Sequence, residues 1–376
     1  MANVLVRSPY YITANVTGAQ YYILTITIGG QVVYTIKKTL SDAQIGTPVI
    51  YEISELIRDY LEPNYSQNPF MYQSHSVLFY TSIQAYNSSG NPISSPILGG
   101  GFGIDGYGYY EDGGNPTTTK GYMQSNDVIY RLGDSDIRIP IDRNNTTSIA
   151  YLYKGEIVES EIITPSSSFV FKYIVNARVN AYDSFKDRVM SEGGVYEDNV
   201  CISEFLDENE TFPVDEIHIG TTDGLKVVKV ITIDECRYTP VKVSFINKWG
   251  ALQDLWFFKK SIQTLNASRE QFNRAVINNY AFSVDNIYDT LLHSKKSYNV
   301  KSTKKITVNT GYVSEQYNAP MQELLQSEQV WMEIDSVITP MTVDSNSLTF
   351  KTSVNDKLVD YTIDLSYAFD AINNIR

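Results

Sequence analysis

The chain is 376 residues long, enough for two or three domains with a sizeable buried core, and its 29 Tyr with abundant Ile, Val and Thr favour strands. A formal net charge of -13 speaks against a surface that neutralises phosphates, so no sequence-specific nucleic-acid binding is expected. Cys201 and Cys236 are too few for a disulfide scaffold, the first residues lack a basic-then-apolar leader, and no run approaches the roughly 18 apolar residues of a membrane span. The expectation is a chain that folds in a reducing cytoplasm, without membrane insertion. From the amino terminus, Tyr22 to Ile28 and Gln31 to Lys37 alternate around Gly29 and Gly30, a strong hairpin signal. Ser54 opens a helix to Leu61 that Pro63 stops, and Val77 to Tyr86 is a further strand. Residues 1–125 therefore read as a β-sandwich domain ending in a Gly/Tyr-rich segment.

In that segment, Leu98 to Gly121, the glycines Gly101, Gly103 and Gly106 match a dinucleotide-binding fingerprint letter by letter. The match fails on context, because the residues that follow carry more glycines and Pro116 where a helix must begin. The stretch reads instead as a long flexible loop with aromatic anchors that orders against a neighbour, and its deletion is expected to leave the domains folded.

Residues 126–239 form a second β domain, with its clearest hairpin at Ile149 to Tyr153 and Glu156 to Ile163 around Lys154 and Gly155. Phe169 to Val175 and Lys226 to Ile233 are later strands. Between them Asp207, Glu208 and Glu210 lie in an acidic stretch that lacks the glycine and terminal glutamate of a calcium loop and reads as solvated.

Residues 240–376 read as an α+β docking domain. Pro240 to Asn247 is a strand, Lys248, Trp249 and Gly250 a turn, and Leu255 to Phe258 the return, with Trp249 and Trp256 read as core. Glu270 to Asn279 and Val284 to Leu292 are expected helices, and Ser297 to Thr310 a strand bearing the basic cluster Lys301, Lys304 and Lys305. A helix entered through Ser314, Glu315 and Pro320 ends at Gln326. Strands at Val330 to Ile334, Met341 to Val343 after a turn at Pro340, Leu348 to Thr352 and Tyr361 to Phe369 close the chain. The fold class is mainly β: several β-sandwich-like domains, a few short helices and an α+β carboxy-terminal domain.

No nucleophile elbow, P-loop or paired-cysteine motif is present, and His75, His218 and His293 are scattered. Asp134 and Asp136 have the residue types of a glycosidase pair, but 43 acidic residues produce such pairs by chance. Neither catalytic residues, cofactor nor metal are expected.

The order of segments after Pro240 carries a resemblance. Phe245 to Gly250, Phe257 to Lys260, Ile306 to Tyr312, Gln322 to Trp331, Lys351 to Asp356 and Ala368 to Arg376 resemble corresponding parts of virion proteins from tailed phages of Bacteroidetes, especially crAss-like podoviruses. The amino-terminal sandwich, with Glu52 to Leu61 as its helical crossover, resembles them more loosely. The resemblance implies a non-enzymatic tail hub or neck subunit, assembled in the bacterial cytoplasm into the virion tail. Such a subunit forms a homo-oligomeric ring and docks portal-ring proteins, other tail proteins or fibres around the DNA conduit. Aromatic side chains give broad contact area at low entropic cost, so Phe102, Tyr107, Tyr109, Tyr110, Trp249, Trp256 and Trp331 are the interface candidates. The alternative reading is a receptor-binding fibre or adhesin that recognises surface carbohydrate.

Overall fold

The computed structural model describes residues 2–61, 65, 76–115, 120–133, 135, 137–165, 171–174, 178–180, 211–274, 291–347, 349 and 358–371. The fold is mainly β, built from several sheets with a few short helices.

The first unit contains β1 (Ala2–Leu5), β2 (Tyr11–Ala14), β3 (Tyr21–Ile28), β4 (Gln31–Thr39), β5 (Val49–Glu52), α1 (Ser54–Arg58), β6 (Ser76–Tyr86) and β7 (Ile97–Ile104). A five-stranded sheet runs β1-β7-β6-β3-β4, with β1 parallel to β7. The β3–β4 hairpin forms as its sequence requires, with Gly29 at φ 58° and Gly30 at φ 79°. Alternation along β3 buries Tyr22, Leu24 and Ile26 against the β2–β5 ribbon and α1, through Ala14, Val49, Tyr51, Ile53 and Ile57. That is a small sandwich, its second layer completed by a short helix.

β7 corrects the loop expectation: the glycine-rich stretch from Ile97 to Ile104 is an interior strand between β1 and β6. Its glycines answer to close packing. A Cβ at Gly103 would collide with Ile57 and crowd Val6, and one at Gly100 would meet the Phe79 carbonyl at 2.7 Å. With Gly99, Gly100, Gly101 and Gly103 in it, the strand has too few side chains to show a period. Deleting Leu98 to Gly121 would remove this strand, so the expectation that the domains would survive the deletion is also corrected.

The second unit comprises β8 (Val128–Leu132), β9 (Ile139–Asp142), β10 (Thr146–Tyr153), β11 (Glu156–Ile162), β12 (Phe171–Ile174), β13 (Arg178–Asn180), β14 (Thr211–Pro213), β15 (Glu216–Thr221) and β16 (Gly224–Ile233). Its main sheet runs β11-β10-β15-β16-β8, with β16 and β8 parallel, and the β9–β12 ribbon lies beside it. Ile139 and Ile141 pack on Ile149, Ile217, Ile219 and Val228. The predicted hairpin turn is present, with Lys154 at φ 51° and Gly155 at φ 83°. Asp134, Asp136, the acidic residues Asp207, Glu208 and Glu210, His75 and Cys201 lie outside the described residues.

The third unit comprises β17 (Val241–Ile246), β18 (Leu252–Phe257), β19 (Ile262–Asn273), β20 (Lys295–Asn309), β21 (Val313–Ser314), α2 (Asn318–Gln326), β22 (Val330–Ile334), β23 (Val337–Val343), β24 (Leu358–Val359) and β25 (Thr362–Tyr367). A seven-stranded sheet runs β18-β17-β22-β23-β25-β20-β19. A 3-10 turn capped by Ser314 leads into α2, which buries Met321 and Leu324 against Phe245, Phe257, Val308 and Leu365.

Two expectations change here. The helix expected from Glu270 is strand β19 as far as Asn273, paired along its length with β20. The expected helix from Val284 lies outside the described residues except for Leu291 and Leu292, which are exposed and non-helical. The turn expected at Pro340 falls at Asp335 and Ser336, with φ 50° and 64°, while Pro340 sits inside β23 opposite Trp331. The Pro340 carbonyl accepts from the Ala368 N–H beyond the last β23–β25 pair, Met341 with Tyr367. Its N atom faces the same side as that carbonyl, so the missing donor falls where the ladder has ended. The strand expected from Leu348 lies outside the described residues apart from Thr349.

Candidate interface: the junction of three sheets

Strand β8 joins two cores because successive side chains point to opposite faces. Ile129 packs into the second unit's core, whereas Tyr130 packs among Val241, Phe257, Tyr317 and Met321 of the third. The Tyr130 hydroxyl accepts from the Ser314 N–H at 2.9 Å, and the Tyr130 and Tyr317 rings meet edge to face at 5.2 Å.

A separate apolar cluster ties in the first unit. Leu5 of β1 and Phe102 and Ile104 of β7 pack with Met123 and with Ile246, Trp249, Ala251 and Leu252 around the β17–β18 turn. Backbones approach closely through reciprocal glycines. Gly106 faces the Lys248 carbonyl, which a Cβ would meet at 2.5 Å, and Gly250, at φ +74°, faces the Asp105 backbone, which a Cβ would meet at 3.0 Å. The Tyr107 N–H donates to the Lys248 carbonyl at 2.8 Å across this seam.

Among the described residues several buried polar groups of the junction are paired, whereas Trp249 Nε1 is buried without a hydrogen-bond partner. Asn247, fully buried, donates from Nδ2 to the Met123 carbonyl (2.8 Å) and Gln253 Oε1 (3.1 Å) and accepts at Oδ1 from the N–H groups of Trp249 and Ala251. Gln253 Nε2 reaches Asn126 Oδ1 at 3.0 Å, and Asn3 reaches Asp142 at 2.9 Å. Glu323 on α2 is buried, accepts from the Ser125 hydroxyl and from the Lys248 N–H at 3.4 Å, and burial pushes its carboxyl above the usual range against those bonds. Outside, Arg7 and Arg58 converge on Glu328 at 3.3 and 2.5 Å, linking the first unit to the segment after α2. Burial likewise raises the carboxyl of Asp105, opposed by the charges of Arg7 and Arg58.

The aromatic candidates fall out as follows. Phe102 and Trp249 bury their rings inside the junction, and Trp331 packs on it with its ring 5.4 Å from Tyr65. Tyr107 donates from its hydroxyl to Gln326 at 2.8 Å, lies edge-on to Tyr109, and receives the Arg7 guanidinium over its face at 4.9 Å. The ammonium of Lys248 sits over both Tyr109 (5.3 Å) and Trp249 (4.7 Å). Trp256 stands apart in the third core, stacked on Phe258 with Lys242 over its ring, and Lys242 pairs with Glu333 at 2.5 Å. Tyr110 alone of these candidates is fully exposed, at 99%. Sequence reasoning missed Asn247, Lys248, Glu323 and Glu328, because long-range polar pairing leaves no local period.

The junction explains the sheet edges. Inner edge strands β1, β8 and β18 are largely buried there, whereas among the described residues β4, β11 and β19 border no further strand and carry mostly exposed side chains. Beside the junction lies a cleft of about 520 Å³ lined by Lys120, Tyr122, Lys226, Lys248 and Trp249 among others. Among the described residues no three of His, Cys, Asp and Glu gather as metal ligands would, and no helix is long and apolar enough to cross a membrane. His218 lies beside Glu216 at 3.3 Å, and Cys236 is an exposed free thiol. No protein-family model matches the chain, and no curated protein matches it in sequence.

Proposed function

We propose that this chain is a structural subunit of a tailed-phage virion, a tail hub or neck component that assembles into a ring and docks neighbouring tail proteins or fibres. The observation that carries the reading is the arrangement of edges: a glycine-closed, polar-stitched junction holds three sheets, each of which, among the described residues, leaves one exposed edge strand. A subunit contacting two ring neighbours and a further partner needs separate surfaces held in fixed relation. The sequence resemblance after Pro240 supplies the phage context, and the acidic charge of -13 suits a wall past which DNA slides without adhering.

The test is the native mass of the purified protein, with negative-stain images, alone and mixed with other virion proteins. A closed ring, or a multimer that closes on mixing, is expected. A monomer in every mixture overturns the reading. One observation favours the receptor-binding alternative: the cleft beside Trp249, where an indole and lysines border a concave surface. Glycan capture by the monomer, lost in Trp249→Ala but retained in Trp256→Ala, would support it.

A further inference from the structure

We infer that the β19–β20 ribbon is a basic arm that grips the phosphate backbone of a nucleic-acid duplex without reading its sequence. The inference goes beyond the ring reading and does not rest on it.

Every side chain of β19 is exposed over twelve residues. The next strand inward, β25, pairs with β20 only along Lys305–Asn309, and the Ala371 N–H still reaches the Ser302 carbonyl. Beyond Ser302, β20 has no strand neighbour except β19 among the described residues. Lys295 therefore stands about 30 Å along the strand from Lys305. A two-stranded ribbon is marginal on its own, and here the Phe272 and Tyr298 rings meet across it at 5.7 Å and stiffen it.

The ribbon reverses the sign of the chain. Arg269, Lys295, Lys296, Lys301 and Lys304 are all exposed, and none is engaged by another side chain among the described residues. Lys226, Lys242, Lys259 and Lys305, by contrast, each pair with a carboxylate of the chain. Arg274 donates from Nε to the His293 carbonyl, and the ribbon's one acid, Glu270, accepts from Asn299 Nδ2 at 3.2 Å.

Alternation and register divide the five cations between both faces. Arg269 shares one face with the Leu265–Lys304 and Asn273–Lys295 pairs, while Ser268–Lys301 and Phe272–Lys296 lie on the other. A lipid surface meets one side of a ribbon only. A duplex groove admits a two-stranded ribbon and flanks it with phosphate walls on both sides, which long cationic side chains from either face reach. Screening confines repulsion from the acidic body to about 8 Å at physiological ionic strength, so the local sign governs what the arm meets.

The experiment is fluorescence anisotropy of labelled DNA duplexes of two unrelated sequences, titrated with the purified protein over a series of salt concentrations. Wild type is expected to bind both sequences equally, with an affinity that falls steeply as salt rises. K295Q/K296Q/K301Q is expected to bind at least about tenfold more weakly at low salt and to flatten the slope of log affinity against log salt by about 2–3. K37Q/K154Q/K229Q removes the same charge from exposed sites outside the ribbon and is expected to bind like wild type, with circular dichroism checking that both variants keep their strand content. Binding by the ribbon variant equal to wild type, an equal loss in K37Q/K154Q/K229Q, or no duplex bound by wild type at low salt overturns the inference. Phosphatidylserine vesicles or polyglutamate captured more tightly than duplex overturns it in favour of a lipid or an acidic protein. A wild-type multimer that K295Q/K296Q/K301Q dissociates overturns it in favour of a contact between copies. A monomeric wild type sinks the ring reading alone, since the titration needs only the monomer.

Discussion

Replacing Gly250 with Ala tests whether the junction is closed by backbone contact. Two costs combine there. At φ +74° a Cβ strains the left-handed backbone by about 1–2 kcal/mol. The same Cβ collides with Ile104 and presses to 3.0 Å on the Asp105 backbone, an overpacking that costs about 1–3 kcal/mol where rigid strands cannot withdraw. The expected loss is therefore about 2–5 kcal/mol. Gly30→Ala is the matched control: its φ is +79°, but nothing lies within 4 Å of the new Cβ, so it carries only the backbone part. Urea unfolding followed by tryptophan emission reads both, because Trp249 adjoins the mutated glycine and lies in the junction. If Gly250→Ala shifts the midpoint no more than Gly30→Ala, the backbone seam contributes nothing and the account of the junction is wrong.

Asn247→Ala orphans the Trp249 and Ala251 N–H groups and the Met123 carbonyl, at about 1–3 kcal/mol for each group left unpaired; a melting temperature equal to wild type contradicts this. Glu323 has its pKa raised in the folded state, so the unfolded chain ionises first, and stability falls as pH rises from about 4.3 through the raised folded value. Glu323→Gln keeps an acceptor for Ser125 and should remove that decline, leaving the variant more stable at neutral pH; parallel stability curves between pH 4 and 8 would refute it. Asp344 behaves oppositely: burial pushes its carboxyl up, but hydrogen bonds from Lys305 (2.6 Å) and Ser366 outweigh that and hold it low. Its contribution is present above the unfolded pKa and lost as pH falls through the depressed one, so Asp344→Asn should flatten the acid limb of the stability profile, measured by denaturation below pH 5.

Amphipathic alternation made much of the fold legible. The β3–β4 and β10–β11 hairpins, β6, β17, β22 and α2 follow from apolar period and turn chemistry, because each buries one face and solvates the other. Where neither face or both faces are buried, that signal disappears. β19 is exposed on both faces and has polar helix-compatible residues, so only its pairing with β20 makes it a strand. β7 is enclosed between β1 and β6, and its glycines record close approach to Phe79 and Ile57 across gaps no local reading can see, as Gly106 just beyond it does to the Lys248 carbonyl.

The interface candidates divide along the same line. Phe102, Tyr107, Tyr109 and Trp249 were expected at interfaces with partners from their chemistry alone, since large rings supply broad contact area. Which surfaces they join was decided in three dimensions, where they meet around Lys248 at a junction inside the chain. By itself, the sequence determined a mainly β chain with its principal hairpins and an acidic balance, because period, turn residues and charge are local quantities. Tertiary structure alone decided that β8 serves two cores and that a glycine seam joins the first and third units. Those depend on approaches between residues a hundred or more positions apart, which local pattern does not encode.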